Sequence, residues 1–345
     1  MNRMRIKLAL TAVVAAVLVA GQSVPASAAG TYTEMNTLPG GSTNRAFGIN
    51  SSGIVVGDSN ATAGSTVMRA AKWNSAGVIT DLGTLPGDTS STAFAVNNHD
   101  TTIVGRSTGT LERAVRWDAG GTMTVLPGVA GAVRTRAYSV NNSRVTAGFS
   151  VTADGNWHAM RWGADAVATE LPGLPTAVST GATWINNLGV TVGASATPDG
   201  VNHAVRWSSG GTVTALPAVP GYPTTAATAI SDSGISVGGA SATPGGPPRA
   251  VLWKASGAVV MLPMYPGDTA SYAFGVNNSG WVIGYSLTPA GKHRPVLWKP
   301  AGTVHNLTLG SPGGGDPYGI NSAGTAVGVA SPDGGLPQRA AVWSP

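Results

Sequence analysis

The sequence predicts an all-β fold: a seven-bladed β-propeller of four-stranded antiparallel blades, its ring closed by the N-terminal strand. Three observations predict it. Seven tryptophans, Trp73, Trp117, Trp162, Trp207, Trp253, Trp298 and Trp343, recur at gaps of 44 to 46 residues. Each unit carries the same four short blocks in the same order. The stretch TYTEMNTLPG (31–40) matches a fourth block, and the seventh unit has none after Trp343. A fixed period of roughly 20–50 residues marks a repeat architecture, because each unit needs its neighbours to bury its apolar surface.

The first block reads AFGIN (46–50), AFAVN (93–97), AYSVN (137–141), ATWIN (182–186), ATAIS (227–231), AFGVN (273–277) and PYGIN (317–321). The second ends on Gly57, Gly105, Gly148, Gly193, Gly238, Gly284 and Gly328. The third runs from RAAKW (69–73) to RAAVW (339–343), and the fourth leads into Leu-Pro, as in VITDLGTLPG (78–87). Short runs rich in β-branched and aromatic residues, bounded by Gly, Asn, Asp and Pro, are strands. No helical stripe runs outside the N-terminus. NSSG (50–53), NNLG (186–189), SDSG (231–234) and NNSG (277–280) join blocks one and two. Their Asn, Asp and Gly tolerate the positive φ of tight turns. Four such strands make one propeller blade. Residues 31–38 are expected to complete the last blade, which hides two open sheet edges.

A residue that recurs in every unit is expected to hold the scaffold. The Ile or Val before each block-one Asn (Ile49, Val96, Val140, Ile185, Ile230, Val276, Ile320) reads as core. Strict alternation puts the aromatic two residues earlier (Phe47, Phe94, Tyr138, Phe274, Tyr318) on the same face. The position between is small, except at Trp184. A donor stands four residues before each repeated Trp: Arg69, Arg113, His158, His203, Arg249, Arg294 and Arg339. Such a ring of donors suits an anion or a glycan, but repetition in all seven units favours a structural role, satisfying polar groups of the backbone or the block-one Asn.

Function is expected in the loops that differ between units. The two longer links of each unit fall on one face of the disc. The candidate ligand-binding residues there are Arg134, Arg136, Trp157, Tyr222, Tyr265, Asp268, Tyr272, His293 and Asp316, with Arg134 and Arg136 in one loop. Aromatics mixed with scattered polar groups suit an extracellular glycan or a protein surface. No catalytic residue, metal site or cofactor is assigned. Glu occurs only at positions 34, 112 and 170, with no pair placed for glycoside hydrolysis. The sequence carries no nucleophile elbow, metalloprotease helix or phosphate loop.

Residues 1–28 read as a signal peptide: Arg3, Arg5 and Lys7, an apolar run from Leu8 to Gly21, then Ala26-Ser27-Ala28. Residues 29–345 then form a single domain, a secreted monomer with no membrane association after cleavage. Without the leader's three cations the 20 Lys and Arg fall to 17, against 15 Asp and Glu, so the mature chain is near +2. No clustered basic stripe suits nucleic acid. With no Cys, stability rests on burial. The reading is a secreted, non-catalytic binding or structural module; the alternative is a propeller-type hydrolase or lyase acting on extracellular polysaccharide.

The pattern A-[FY]-G-[IV]-N-x-x-G-x-x-V-G, then [RH]-A-x-x-W, then L-P-G resembles the HAF family of probable extracellular repeats. The resemblance covers nearly the whole of residues 29–345 in seven copies. It departs in that most third blocks begin with Arg, His158 and His203 excepted, and none has Phe after the Ala. It implies a bacterial extracellular protein and no particular activity.

Overall fold

A computed structural model describes residues 31–307, 314–331 and 338–344. The expected signal peptide lies outside the described residues. These hold 28 strands and no helix. In the first repeat Asn44–Ile49, Val55–Ser59, Arg69–Trp73 and Ile79–Gly83 pair antiparallel in chain order. The later repeats follow the same meander. The second and third are joined into one eight-stranded sheet by a single parallel bridge, Arg134 to Glu112. The seventh supplies Gly314–Ile320, Ala326–Ser331 and Arg339–Ser344, and its fourth strand is Thr31–Glu34, with Tyr32 opposite Trp343.

The first strand of each repeat contacts the first strand of the next. Gly314–Ile320 in turn contacts Asn44–Ile49. Between repeats lie apolar clusters centred on the recurring Trp residues, all 2% exposed or less. Burying an indole requires a partner for its N–H. Trp117 Nε1 donates to Leu82 O at 2.9 Å, and Trp162, Trp207, Trp253 and Trp298 donate to Pro127, Pro172, Pro217 and Pro263. Each of these five Trp thus ties its own repeat to the end of the preceding fourth strand. Hydroxyls add further ties: Ser91 Oγ accepts from Ala70 N at 2.8 Å and Thr180 Oγ1 from Ala159 N at 2.8 Å.

The block-one Asn does two jobs. Asn186 Oδ1 accepts from Leu188 N and Val190 N and so closes its own turn. Its Nδ2 donates to Ser231 O in the next repeat at 3.0 Å. Asn50, Asn97, Asn141 and Asn277 make the same donation to the carbonyl of the next repeat, and Asn321 makes it to Asn50 O. Ser231, which has no amide, is the interruption in this collar.

Candidate functional site

The pairing of first and second strands skips one residue in every repeat. Ala46 faces Gly57 and Gly48 faces Val56, leaving Phe47 out of register. The same shift occurs at Phe94, Tyr138, Thr183, Thr228, Phe274 and Tyr318. The bulge also explains the repeated block-two Gly. A Cβ at Gly57, Gly105, Gly148, Gly193, Gly238, Gly284 or Gly328 would lie 1.9–2.0 Å from a carbonyl oxygen of the first strand. A bulge ends the alternation of faces. The aromatic therefore leaves the face shared with the core Ile or Val, where strict alternation places it, and turns to the space between the first strands. All seven bulged residues line one cavity of about 950 Å³.

Five of the seven are aromatic and meet as tilted neighbours. Ring centres are 5.0 Å apart for Phe274 and Tyr318, 5.4 Å for Tyr318 and Phe47, 5.5 Å for Phe47 and Phe94, and 5.0 Å for Phe94 and Tyr138. Such tilted packing is favourable for quadrupolar rings. Phe149 and Trp157 extend the wall, 4.1 Å apart. Repeats four and five differ. Their bulged residues are Thr183 and Thr228, two residues earlier stand Gly181 and Ala226, and Ala194 lines the same side. The other repeats carry Arg45, Thr92, Arg136, Tyr272 and Asp316 where these two have Gly and Ala. The room in the cavity is made by these small residues. Trp184, the large residue at an otherwise small position, lines the cavity and packs against two adjacent cores.

Polar groups near the aromatic wall are already partnered. Asp58, fully buried, binds Arg45 at 2.6 Å. Glu112 is clamped by Arg106 and Arg136. Burial pushes the Glu112 carboxyl up, but the two guanidiniums outweigh it and hold the group below the usual carboxylate range. Burial opposes the charge on Arg136, and the bond to Glu112 outweighs it, so its pKa rises. Arg45, Arg106 and Arg136 each lie over a ring, 5.4 Å from Phe47, 6.0 Å from Phe94 and 5.9 Å from Phe149. On the other side His293 Nδ1 meets Asp316 Oδ1 at 2.7 Å, and its ring stacks on Tyr285 at 3.9 Å and 3°. The bond to Asp316 raises the His293 pKa against burial. Tyr318 OH donates to Asp316 Oδ2 at 3.4 Å. Burial, with a contribution from Tyr285, pushes the Tyr272 hydroxyl up to about 12. The Tyr272 ring lies over Gly239, where a Cβ would sit 2.2 Å from it.

Of the residues expected on the variable face, Trp157 and Tyr272 line the cavity. Arg136 and Asp316 touch its lining residues Phe149 and Tyr318, and His293 stands one step further out, held by Asp316. Arg134 stands 5.8 Å from the Trp157 ring centre. Arg134 and Arg136 belong to the strand Ala132–Val140, not to a loop; pairing with Thr146–Thr152 carries the strand out to the bridge with Glu112. Tyr222, Tyr265 and Asp268 are not brought to the cavity. Tyr222 and Tyr265 pack against cores, and buried Asp268 holds Arg294 at 3.0 Å beneath the Tyr265 ring. Of the recurring Arg/His set, Arg69 takes Asp81, Arg113 takes Asp88, His158 takes Glu170 and Arg294 takes Asp268 rather than the block-one Asn, while Arg339 donates to the backbone, at Ser42 O.

The bulged aromatics are functional candidates that alternation misassigns. Their signal lies in the differences between repeats, where Thr replaces the aromatic in two adjacent units.

No family model matches the chain, and no curated protein does. Solved structures do. A streptogramin B lyase is 14% identical with a TM-score of 0.55, over 92% of this chain and 99% of that one. Virginiamycin B lyase from Staphylococcus aureus is 12% identical with a TM-score of 0.53, over 92% and 99%. An oligogalacturonate lyase from Vibrio parahaemolyticus is 9% identical with a TM-score of 0.59, over 92% and 97%. At such identities the likeness supports the fold, a β-propeller, and carries no chemistry.

Proposed function

We propose that the chain is a secreted, closed seven-bladed β-propeller that binds a ligand in its central cavity and performs no chemistry on it. Seven sequence repeats, the contact of the last first-strand with Asn44–Ile49, and the pairing of Thr31–Glu34 with Arg339–Ser344 support the closed ring. The leader sequence and the resemblance to extracellular HAF repeats support secretion.

The observation that carries the binding reading is the uneven wall. A ring with only a structural role would fill its centre with one kind of side chain from every blade. Here five blades supply aromatics and two adjacent blades supply Thr, Gly and Ala, which leaves a concave apolar space of ligand size. The carboxylates beside it are committed to ion pairs, Asp58 to Arg45 and Glu112 to two arginines, so they are poor general bases.

The test is a thermal-shift screen of the protein against oligosaccharides and hydrophobic organic compounds. Hits should be lost in Ala194→Phe, which fills the roomy side, and kept in Asp268→Asn. The opposite pattern would move the site to the outer loops. The second reading, a hydrolase or lyase, is favoured by one observation, a histidine held by Asp316 with its other ring nitrogen without a hydrogen-bond partner among the described residues. Turnover of a polysaccharide that disappears in His293→Ala would establish it in place of the binding reading.

A further inference from the structure

We infer that the cavity takes an amphipathic organic anion, its apolar body among the aromatics and its anionic group at Arg134. The inference rests on the reading that the cavity is the ligand site. Two observations carry it. First, the hydroxyls at the bulges are already bonded, which leaves the Asn202 amide and the Tyr272 hydroxyl as lining groups without a hydrogen-bond partner among the described residues. Thr183 Oγ1 lies 2.9 Å from Ala227 O and 3.0 Å from Val192 O, so its single proton goes to backbone. Thr228 Oγ1 is held in the same way by Ala273 O at 2.8 Å and Val237 O at 3.1 Å. The Tyr138 hydroxyl accepts from Arg136, and that of Tyr318 donates to Asp316. A polyhydroxylated ligand would lose its bonds to water there and regain only a few, whereas an apolar body loses nothing.

Second, the cations around the cavity are not equivalent. Arg45 is paired with Asp58, and Arg106 and Arg136 share Glu112, so all three guanidiniums are held by buried carboxylates, although the Glu112 triad keeps one net positive charge. Arg134 is exposed, and among the described residues its guanidinium meets no carboxylate. It stands over Trp157, whose ring forms the wall next to the small residues; a Cβ at Gly181 would be 3.8 Å from it. A guanidinium offers five donors in a fork suited to a carboxylate or sulfonate. At this mouth it would bind an acid group while the attached apolar body enters the space beside Gly181, Ala194 and Ala226. A carboxylate and a sulfonate share the chemistry required.

The probes are 8-anilinonaphthalene-1-sulfonate and its uncharged analogue N-phenyl-1-naphthylamine, titrated by fluorescence against the full secreted chain. The anion should bind about three- to fivefold more tightly than the neutral probe, the scale of one exposed charge contact. Arg134→Gln should abolish that preference without weakening the neutral probe, and high salt should do the same. Ala194→Phe should weaken both probes tenfold or more; Ala226→Phe serves if the first variant does not fold by near-ultraviolet circular dichroism. Equal binding of the two probes, or a preference that survives Arg134→Gln, would overturn the amphipathic anion while leaving the cavity as the site. Probes that bind as well to a folded, cavity-filled variant would overturn the cavity itself, and so would failure of both probes to bind.

Discussion

The two ends of the first strands are built by opposite rules. At one end every repeat places an Asn, or Ser231 in its stead, and the six Asn side chains each link their repeat to the next through a backbone carbonyl. A few residues earlier along the same strands, the cavity wall changes from repeat to repeat: Phe, Phe, Tyr, Thr, Thr, Phe, Tyr at the bulge alone. The uniform end satisfies buried polar groups and fixes the spacing of the repeats. The varied middle makes a shape. In a repeat protein, therefore, recurrence marks what holds the sheets, and departure from recurrence marks where a ligand can be recognised.

The largest test of the uniform part is removal of the closing strand. A chain starting at residue 39 loses Thr31–Glu34 and buried Leu38, and exposes the edge of Arg339–Ser344. Aggregation or a loss of several kcal/mol is expected, read by gel filtration and melting. A monomer that melts at an unchanged temperature would break the proposed closure. Next comes a contrast between two tryptophans. Trp207→Ala should cost about 3–5 kcal/mol, because the ring is fully buried and its N–H is bonded to Pro172 O. Trp157→Ala, 40% exposed at the cavity, should cost only about 1 kcal/mol and should impair binding instead. Equal costs in urea denaturation would erase the distinction between scaffold and site.

Much of this scaffold was legible in the sequence. The Trp period gave the repeats, the Asn-x-x-Gly turns gave the hairpins, and the fourth block at 31–40 gave the pairing of Thr31–Glu34 onto the last unit. The cavity was not legible, for a definite reason. A bulge is a one-residue slip in pairing, and nothing in AFGIN or AYSVN announces it by composition. Its trace is the block-two Gly, which reads equally well as a strand end until the carbonyl 1.9 Å from its would-be Cβ is seen. Trp157 and Tyr272 were found because they are aromatics outside the repeat. Tyr222 and Tyr265 met the same criterion and pack on cores, since the sequence does not say which way a loop residue turns.

The collar offers a finer comparison. Asn186→Ala removes one interrepeat donation and the acceptor of two turn N–H groups and should cost about 1–3 kcal/mol. Ser231→Asn should do the reverse, supplying the missing donation to Asn277 O and adding about 0.5–1.5 kcal/mol. Destabilisation by Ser231→Asn would show that the interruption is required. The smallest effect is expected at His293. Its bond to Asp316 raises the folded pKa above the usual 6.5. The pair therefore adds stability below pH about 6.5, and that stability is lost as pH rises through the folded value. Nuclear magnetic resonance titration should place His293 above 6.5, and Asp316→Asn should bring it down; an unchanged titration in that variant would assign the shift to another cause.

The central claim is that the non-repeating bulge residues form the site where a ligand is bound. It is tested most directly by crystallography of the protein soaked with naphthalene-type sulfonates and aromatic carboxylates. The account predicts density for the apolar body between Trp157, Tyr272 and the small residues of repeats four and five, with the acid group at Arg134. Density on the outer loops around Tyr222 and Tyr265, with the central cavity holding only water, would contradict it.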